Sequence, residues 1–171
     1  MCSSSLIKAK AKYLENYFDI EIREQNDVFD LRVLPYQSAP VVVEKKLGER
    51  AMTQMQFSLV PSWSKEKRVK FATHNARLHS IDEKSGKEVW IFEKPTWRGP
   101  FARRHCLVPI SAFIEPIYTG EFAGNMVRFL PKGFEAVGAA AIWEEWIDKS
   151  TGEVIESYSI LTDDPIPFVK K

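Results

Sequence analysis

Residues 154–162 read VIESYSILT, and upstream of them residues 134–143 read FEAVGAAAIW. In both stretches apolar residues either alternate with polar ones or gather into a short run, the pattern of strands rather than of an amphipathic helix. The same texture recurs in VFDLRVLPY (28–36), PVVVEKK (40–46), AMTQMQFSLVP (51–61), CLVPISAFI (106–114) and MVRFLP (126–131), with Gly, Pro or Asp at the breaks. These segments predict an α+β domain built mainly from an antiparallel, curved or barrel-like β-sheet with a few flanking helices. The first helix is expected in SSSLIKAKAKYLENYF (3–18), where serines offer an N-cap and Leu6, Tyr13, Leu14 and Tyr17 recur at helical spacing. The least strand-like region, from about Phe71 to Gly99, is expected to hold one or two short helices.

The bulk composition narrows the function classes. A chain of 171 residues suits one domain with a sizeable core, and 44% hydrophobic with 27% charged residues is ordinary for a globular protein. The net charge of +1 gives no global field toward nucleic acid or membrane, so an anion-binding surface has to be a local patch. Two cysteines, Cys2 and Cys106, do not make a disulfide scaffold, and free thiols suit a reducing cytoplasm. No apolar run approaches the roughly 18 residues of a spanning helix. The start of the chain also lacks the charged-then-apolar layout of a signal peptide. A cytoplasmic protein with no membrane partner is therefore expected. A P-loop, a dinucleotide fingerprint and a G-x-S-x-G elbow are all absent from the sequence, which removes those enzyme classes.

The chain opens MCSSS. Methionine aminopeptidase clips Met before small residues, and the mature chain would then begin at Cys2 with a free α-amine and a thiol on adjacent carbons. A 1,2-aminothiol condenses with an aldehyde: the amine forms an imine and the thiolate closes a five-membered thiazolidine. Taken alone, the position reads instead as a tolerated second residue at a frayed terminus. A helix beginning near Ser4 would favour the thiolate, lowering its pKa below the free value of about 8.5. The α-amine, with a pKa of about 7.7–8.0, is already partly neutral at pH 7.

Other stretches carry candidate chemistry. In FSLVPSWSKEKRVKFATHNARLHS (57–80), Trp63 precedes Lys65, Lys67, Arg68 and Lys70, as an aromatic platform beside a phosphate track would. A tryptophan tucked under a loop with a solvated charge run fits the same residues. Asn75 and Arg77 share one face in extended geometry, so one can position a polar ligand while the other pairs with a phosphate. Glu115 ends an apolar strand between Ile114 and Pro116; if buried, its pKa rises and it can serve as a general acid or base, although it can equally reach solvent. Arg103 and Arg104 are phosphate candidates or simply a charged strand entry. Cys106, inside CLVPI, reads as a core residue. His74, His79 and His105 have no metal-ligand spacing, and neither a metal nor a cofactor is expected.

Taken in order, these pieces resemble a known family, the SOS response-associated peptidase (SRAP) or abasic-site processing proteins. The resemblance runs through Met1-Cys2, YQSAP (36–40), SLVPSW (58–63), NAR (75–77), PTWR (95–98), RRHCLVPISAFIEP (103–116), AAIWEEW (140–146) and SYSILT (157–162). It covers nearly the whole chain and implies one SRAP-like domain over residues 1–171. It further implies a protein, expected to be monomeric, that senses abasic sites in single-stranded DNA and forms a covalent thiazolidine crosslink through Cys2 once Met1 is removed. By the same resemblance Asn75 orients the reacting centre, Arg77 holds a nearby phosphate and Glu115 shuttles protons. Trp63 and Pro40 shape the DNA groove, Pro40 from a loop, and Arg98 and Arg104 join the DNA-binding set. Peptidase and lyase activities are associated with the family.

The chain also departs from the family pattern. Ser3 and Ser4 stand where the family has Gly-Arg, His79-Ser80 where it favours Glu-Thr, and Pro116 where a Trp is common. The family continues past the ILT strand to a His-x-Arg-Met-Pro-like segment whose histidine assists the chemistry; this sequence runs ILTDDPIPFVKK, so either a C-terminal segment is missing, the expectation preferred here, or this member has lost that histidine. Two other readings stand beside the crosslinker: a non-catalytic DNA-binding member of the fold, and a cysteine-type (auto)peptidase, which would need an oxyanion hole and a base near Cys2.

Overall fold

The protein is described here by a computed structural model covering residues 4–22 and 27–164. Its first element differs from the sequence expectation: Ser4–Lys10 is a strand, β1, and only Ala11–Phe18 is helical, α1. Ile7 and Ala9 turn inward while Lys8 and Lys10 turn outward, the period-two pattern of a strand. Pairing on both edges of β1 overrides the cap signal of the serines. The helix dipole expected beside Cys2 is therefore not at the start of the chain, and Cys2 itself lies outside the described residues. The helix α1 buries Leu14 and Phe18, and the Tyr13 hydroxyl donates to the Ala136 carbonyl at 2.9 Å. It ends at Asp19, whose φ of 55° is left-handed and whose N–H donates to the Glu15 carbonyl.

The chain continues as β2 (Val28–Val33), β3 (Ser38–Lys46), β4 (Glu49–Phe57), and the short strands β5 (Asn75–Arg77), β6 (His79–Ile81) and β7 (Glu88–Trp90). A 3₁₀ turn (Ile91–Glu93) and helix α2 (Arg98–Arg103) follow, then β8 (His105–Ile110), β9 (Ala112–Pro116), β10 (Met126–Phe129), β11 (Val137–Ile147) and β12 (Val154–Thr162). Five strands close into a barrel in the order β11-β8-β3-β4-β12, with β12 returning to β11. The closing pair is the antiparallel β11–β12 ladder, from Ala141 opposite Ile160 to Ile147 opposite Val154. A separate antiparallel sheet has the order β10-β9-β1-β2, and β6 and β7 form a hairpin.

Two features were not legible in the sequence. First, β12 pairs in parallel with both β4 and β5, so the mainly antiparallel sheet carries a parallel seam. Second, CLVPISAFI is two strands, because the chain leaves the barrel for the second sheet at Ser111. That corner is tied to β1: the Ser111 N–H donates to the Leu6 carbonyl at 2.8 Å, and its hydroxyl accepts from the Lys8 N–H at 2.8 Å and donates to the Lys8 carbonyl at 3.0 Å.

The main core joins Ile7, Phe18, Val41, Phe57, Val108 and Tyr158, all essentially inaccessible, with the Phe57 and Tyr158 rings stacked at 5.2 Å. A smaller cluster of Leu59, Ala76, Ile91, Trp97 and Ile142 lies under β5. Cys106 belongs to the main core, as its sequence context suggested, and burial pushes its thiol pKa up to about 12, which keeps it protonated and inert. No helix among the described residues is long and apolar enough to cross a membrane.

Helix α1 docks on the barrel where β11 carries Gly138. A Cβ there would meet the Phe18 ring at 3.0 Å and Leu107 at 3.5 Å. Gly138→Val is expected to push Phe18 out of register and cost roughly 1–3 kcal/mol, as overpacked cores do. Urea unfolding should show a lower midpoint with an unchanged m-value.

Candidate functional site

The residues of interest gather where one edge of β12 changes partner. β4 pairs with β12 at Ser157 and Tyr158, and β5 takes over at Ile160, Leu161 and Thr162. Between them the chain turns away at Ser58, a buried non-glycine residue with φ 91°, an energetically unfavourable conformation held by the Ser58 N–H donating to the Tyr158 carbonyl. The segment returns through Thr73 and His74, with the Ile160 N–H donating to the His74 carbonyl at 3.1 Å. On β5, Ala76 points into the smaller core, so Asn75 and Arg77 share the opposite, half-buried face, as their spacing predicted.

Glu115 approaches from β9. That strand pairs with β10, placing Glu115 opposite Val127, and with the start of β1, placing Ser4 opposite Ile114. The Glu115 side chain is half-buried, between the two alternatives that the sequence left open. Its carboxylate interacts electrostatically with His74, a residue that the sequence analysis gave no role. The His74 ring is half-buried and packs edge-on against Phe57, with centroids 5.9 Å apart. Burial holds the imidazole below its usual range, against the opposing pull of the Glu115 carboxylate. The only sequence signal for His74 was its place directly before the Asn-Ala-Arg triplet.

Arg77 is already engaged. Its Nε donates to the His79 carbonyl at 3.0 Å, and Nη2 pairs with Asp164. His79 lies against the same acidic pair, with Nδ1 3.2 Å from Asp163 and Nε2 3.6 Å from Asp164. Lys94 sits close by, and burial followed by the Arg77 charge holds its ammonium below the usual lysine range. Two cations near one another can hold an oxyanion, and here the Asp164 carboxylate pairs with the Arg77 guanidinium.

Trp63 is exposed and stacks on Phe71 at 6.5 Å, forming an aromatic step at the two ends of the basic loop. Phe71 was not singled out from sequence, since nothing in the linear order brings it to Trp63. The loop is pinned by the Trp146 Nε1, which donates to the Ser64 carbonyl at 2.8 Å. Within the basic run, Lys67 pairs with Glu153 and the Arg68 guanidinium lies 4.6 Å above the Tyr36 ring.

The placement of Pro40 differs from the expectation, and Arg104 has a partner that the sequence did not reveal. Pro40 is not on a loop: it is buried within β3, opposite Gln54. The β8 edge of β3 is paired only at Val42 and Val43, which leaves room for a residue without an N–H. Arg104 is half-buried, paired with the buried Glu144 carboxylate and resting over the Trp143 ring at 5.2 Å; a buried carboxylate needs that counter-charge. Arg98, at the start of α2, is exposed and lines a cleft of about 430 Å³ together with Arg103, Arg104, Ser62 and Glu144. Among the described residues, no group of three or more His, Cys, Asp or Glu side chains could hold a metal ion.

"Abasic site processing protein YoaM" of Bacillus subtilis is 23% identical over 138 residues, 81% of this chain and 56% of that protein. "Abasic site processing protein HMCES" of Gallus gallus is 25% identical over 158 residues, covering 76% of this chain and 44% of that protein. The chain thus spans about half the length of these curated relatives. Solved structures of proteins from Bacteroides thetaiotaomicron and Bordetella bronchiseptica share the fold. The first has a TM-score of 0.74 at 23% identity over 99% of this chain and 71% of its own, the second 0.70 at 21% over 96% and 73%. The model of the family SOS response associated peptidase (SRAP) matches residues 1–171, and the chain belongs to that family.

Proposed function

We propose that this chain processes abasic sites in single-stranded DNA by trapping the lesion aldehyde on Cys2. The observation that carries this reading is where the chain enters the fold. Strand β1 starts at Ser4 opposite Ile114, the neighbour of Glu115, and Glu115 in turn interacts with His74 beside Asn75. Cys2 is two residues ahead of Ser4, so chain connectivity keeps its α-carbon within about 7 Å of the Ser4 α-carbon. In this reading the chain's entry at Ser4, the Glu115 carboxylate and the polar Asn75 side chain serve one site. The names of the relatives, abasic site processing proteins, support the substrate.

The chemistry balances without a cofactor. With Met1 removed, the α-amine of Cys2 adds to the C1′ aldehyde of the ring-opened deoxyribose and loses one water to give an imine. The Cys2 thiol then adds across that C=N bond; sulfur bonds to C1′, and the thiol proton ends on nitrogen, closing the thiazolidine. The carbinolamine hydroxyl must leave protonated and the attacking groups must be deprotonated, the work of Glu115 as acid and base. Asn75 orients the reacting centre by hydrogen bonding. Arg77, with Lys94 near it, holds a flanking phosphate, and Trp63 with Phe71 offers a stacking step for bases of the single strand.

The decisive experiment is intact-mass analysis of the protein mixed with a single-stranded oligonucleotide containing one abasic site. An adduct at the summed mass less one water, resistant to salt and heat, is expected for the wild type. It should be absent with Cys2→Ala and with undamaged DNA. If a chain with a free Cys2 amine forms no adduct, the crosslinking reading is wrong and only noncovalent DNA binding remains.

Asp164 competes with DNA for Arg77 in this reading. Asp164→Asn should tighten binding of undamaged single-stranded DNA by roughly two- to fivefold at low salt, in line with an exposed ion pair worth about 0.2–1 kcal/mol. Arg77→Ala should weaken it and lower the salt slope by about one. Fluorescence anisotropy across a salt series reads both.

A further inference from the structure

We propose that the cleft between α2 and β11 is a second phosphate site for the single strand, where Arg98 and Arg103 hold one backbone diester beyond the Trp63–Phe71 step. The inference rests on the DNA-binding part of the reading above and deepens it by naming where the strand goes after that step. It does not depend on the crosslink.

The cleft follows from the sequence of α2. Trp97 and Pro100 are buried, and Phe101 packs against the smaller core, so these residues anchor the helix. Arg98, Gly99, Ala102 and Arg103 are exposed and line the cleft, at the three- and four-residue spacing of one helical face. Gly99 and Ala102 keep the space between the two arginines clear; a Cβ on Gly99 would meet no atom within 4 Å. The end of the helix is fixed to the barrel: the Arg104 N–H donates to the Pro100 carbonyl at 2.8 Å, and the Trp143 N–H donates to the Arg104 carbonyl at 2.9 Å. Ser62 also lines the cleft, and its chain neighbour Trp63 carries the aromatic step. Consecutive α-carbons lie about 3.8 Å apart, so cleft and step adjoin. The loop that bears both is pinned through the Ser64 carbonyl by Trp146.

Charge selects the occupant. Arg104 and the buried Glu144 neutralise one another on one side of the cleft. Arg98 and Arg103 have no ion-pair partner among the described residues, and the half-buried Glu145 adds one carboxylate. Two unpaired guanidiniums against one carboxylate leave a single excess positive charge, which matches one phosphodiester. A phosphate monoester carries roughly −1.5 to −2 at pH 7 and would leave negative charge uncompensated beside Glu145. The strand is therefore favoured over a free nucleotide. Guanidinium forks suit phosphate oxygens, and the Ser62 hydroxyl is a further donor. The volume of about 430 Å³ takes a nucleotide-sized group rather than a lone inorganic anion.

The test is binding of undamaged single-stranded DNA to the full chain, followed by fluorescence anisotropy across a salt series. It compares the wild type, Arg98→Gln/Arg103→Gln, Gly99→Glu, and a charge-matched control, Lys45→Gln/Lys46→Gln, at the exposed end of β3. The double arginine variant is expected to bind roughly three- to twentyfold more weakly at low salt, with a salt slope lower by roughly 0.7, the share of one phosphate on a single strand. Gly99→Glu keeps both arginines but puts a carboxylate between them, and should weaken binding in the same direction. The lysine control should keep the wild-type slope, and millimolar dAMP should not displace the strand. Wild-type binding by either cleft variant would overturn the proposal. An equal loss in the lysine control would also overturn it, by marking a general charge effect. A loss of wild-type affinity in dAMP that the arginine variant does not share would assign the cleft to a free nucleotide and overturn the strand assignment. Undamaged DNA offers no aldehyde, so these failures leave the crosslinking reading standing, and absence of an adduct leaves the cleft standing.

Discussion

The β11–β12 ladder is the constraint on which the rest of the molecule depends. Its pairing of Ala141–Ile147 with Val154–Ile160 turns an open sheet into a barrel and leaves β12 with one further edge. β4 uses the first part of that edge and stops at Phe57, where Ser58 adopts a positive φ and the chain departs. The unpaired remainder, Ile160–Thr162, is then satisfied by β5. A strand of only three residues has little stability of its own, so its position follows from the hydrogen bonds that β12 has left to give. That position brings Asn75, Arg77 and His74 to the site.

The second sheet supplies the other half. Ser111 carries the chain from barrel to sheet while bonding to the backbone of Leu6 and Lys8, which fixes β9 against β1. Glu115 and the entry of the chain at Ser4 are thereby neighbours whatever the surrounding loops do. The site lies between two sheets, each organised by its own ladder, and the His74–Glu115 interaction crosses from one to the other. The same economy governs the charges. Arg104 is committed to the buried Glu144, whereas Arg77, at a half-exposed position, pairs with the exposed Asp164 and donates to the His79 carbonyl.

What the sequence by itself determined was whatever depends on local pattern or side-chain chemistry. The alternation in VIESYSILT and the short apolar runs elsewhere made a β-rich, barrel-like domain legible, and Cys106 declared itself a core residue by its neighbours. The period of two in Asn75-Ala76-Arg77 put the polar pair on one face, and the ordered motifs identified the family. What only the tertiary structure decided was whatever depends on pairing between distant segments. Ser4–Lys10 has both a cap signal and an alternating pattern, and edge pairing on two sides made it a strand. Pro40 is in the barrel because β3 lacks a neighbour on one edge there, a fact absent from any local window. Phe71 stacks on Trp63 because the two ends of a loop are brought together by the closed fold. Local sequence sets what each segment prefers, but the contacts that make a site are satisfied only once, by the closed fold.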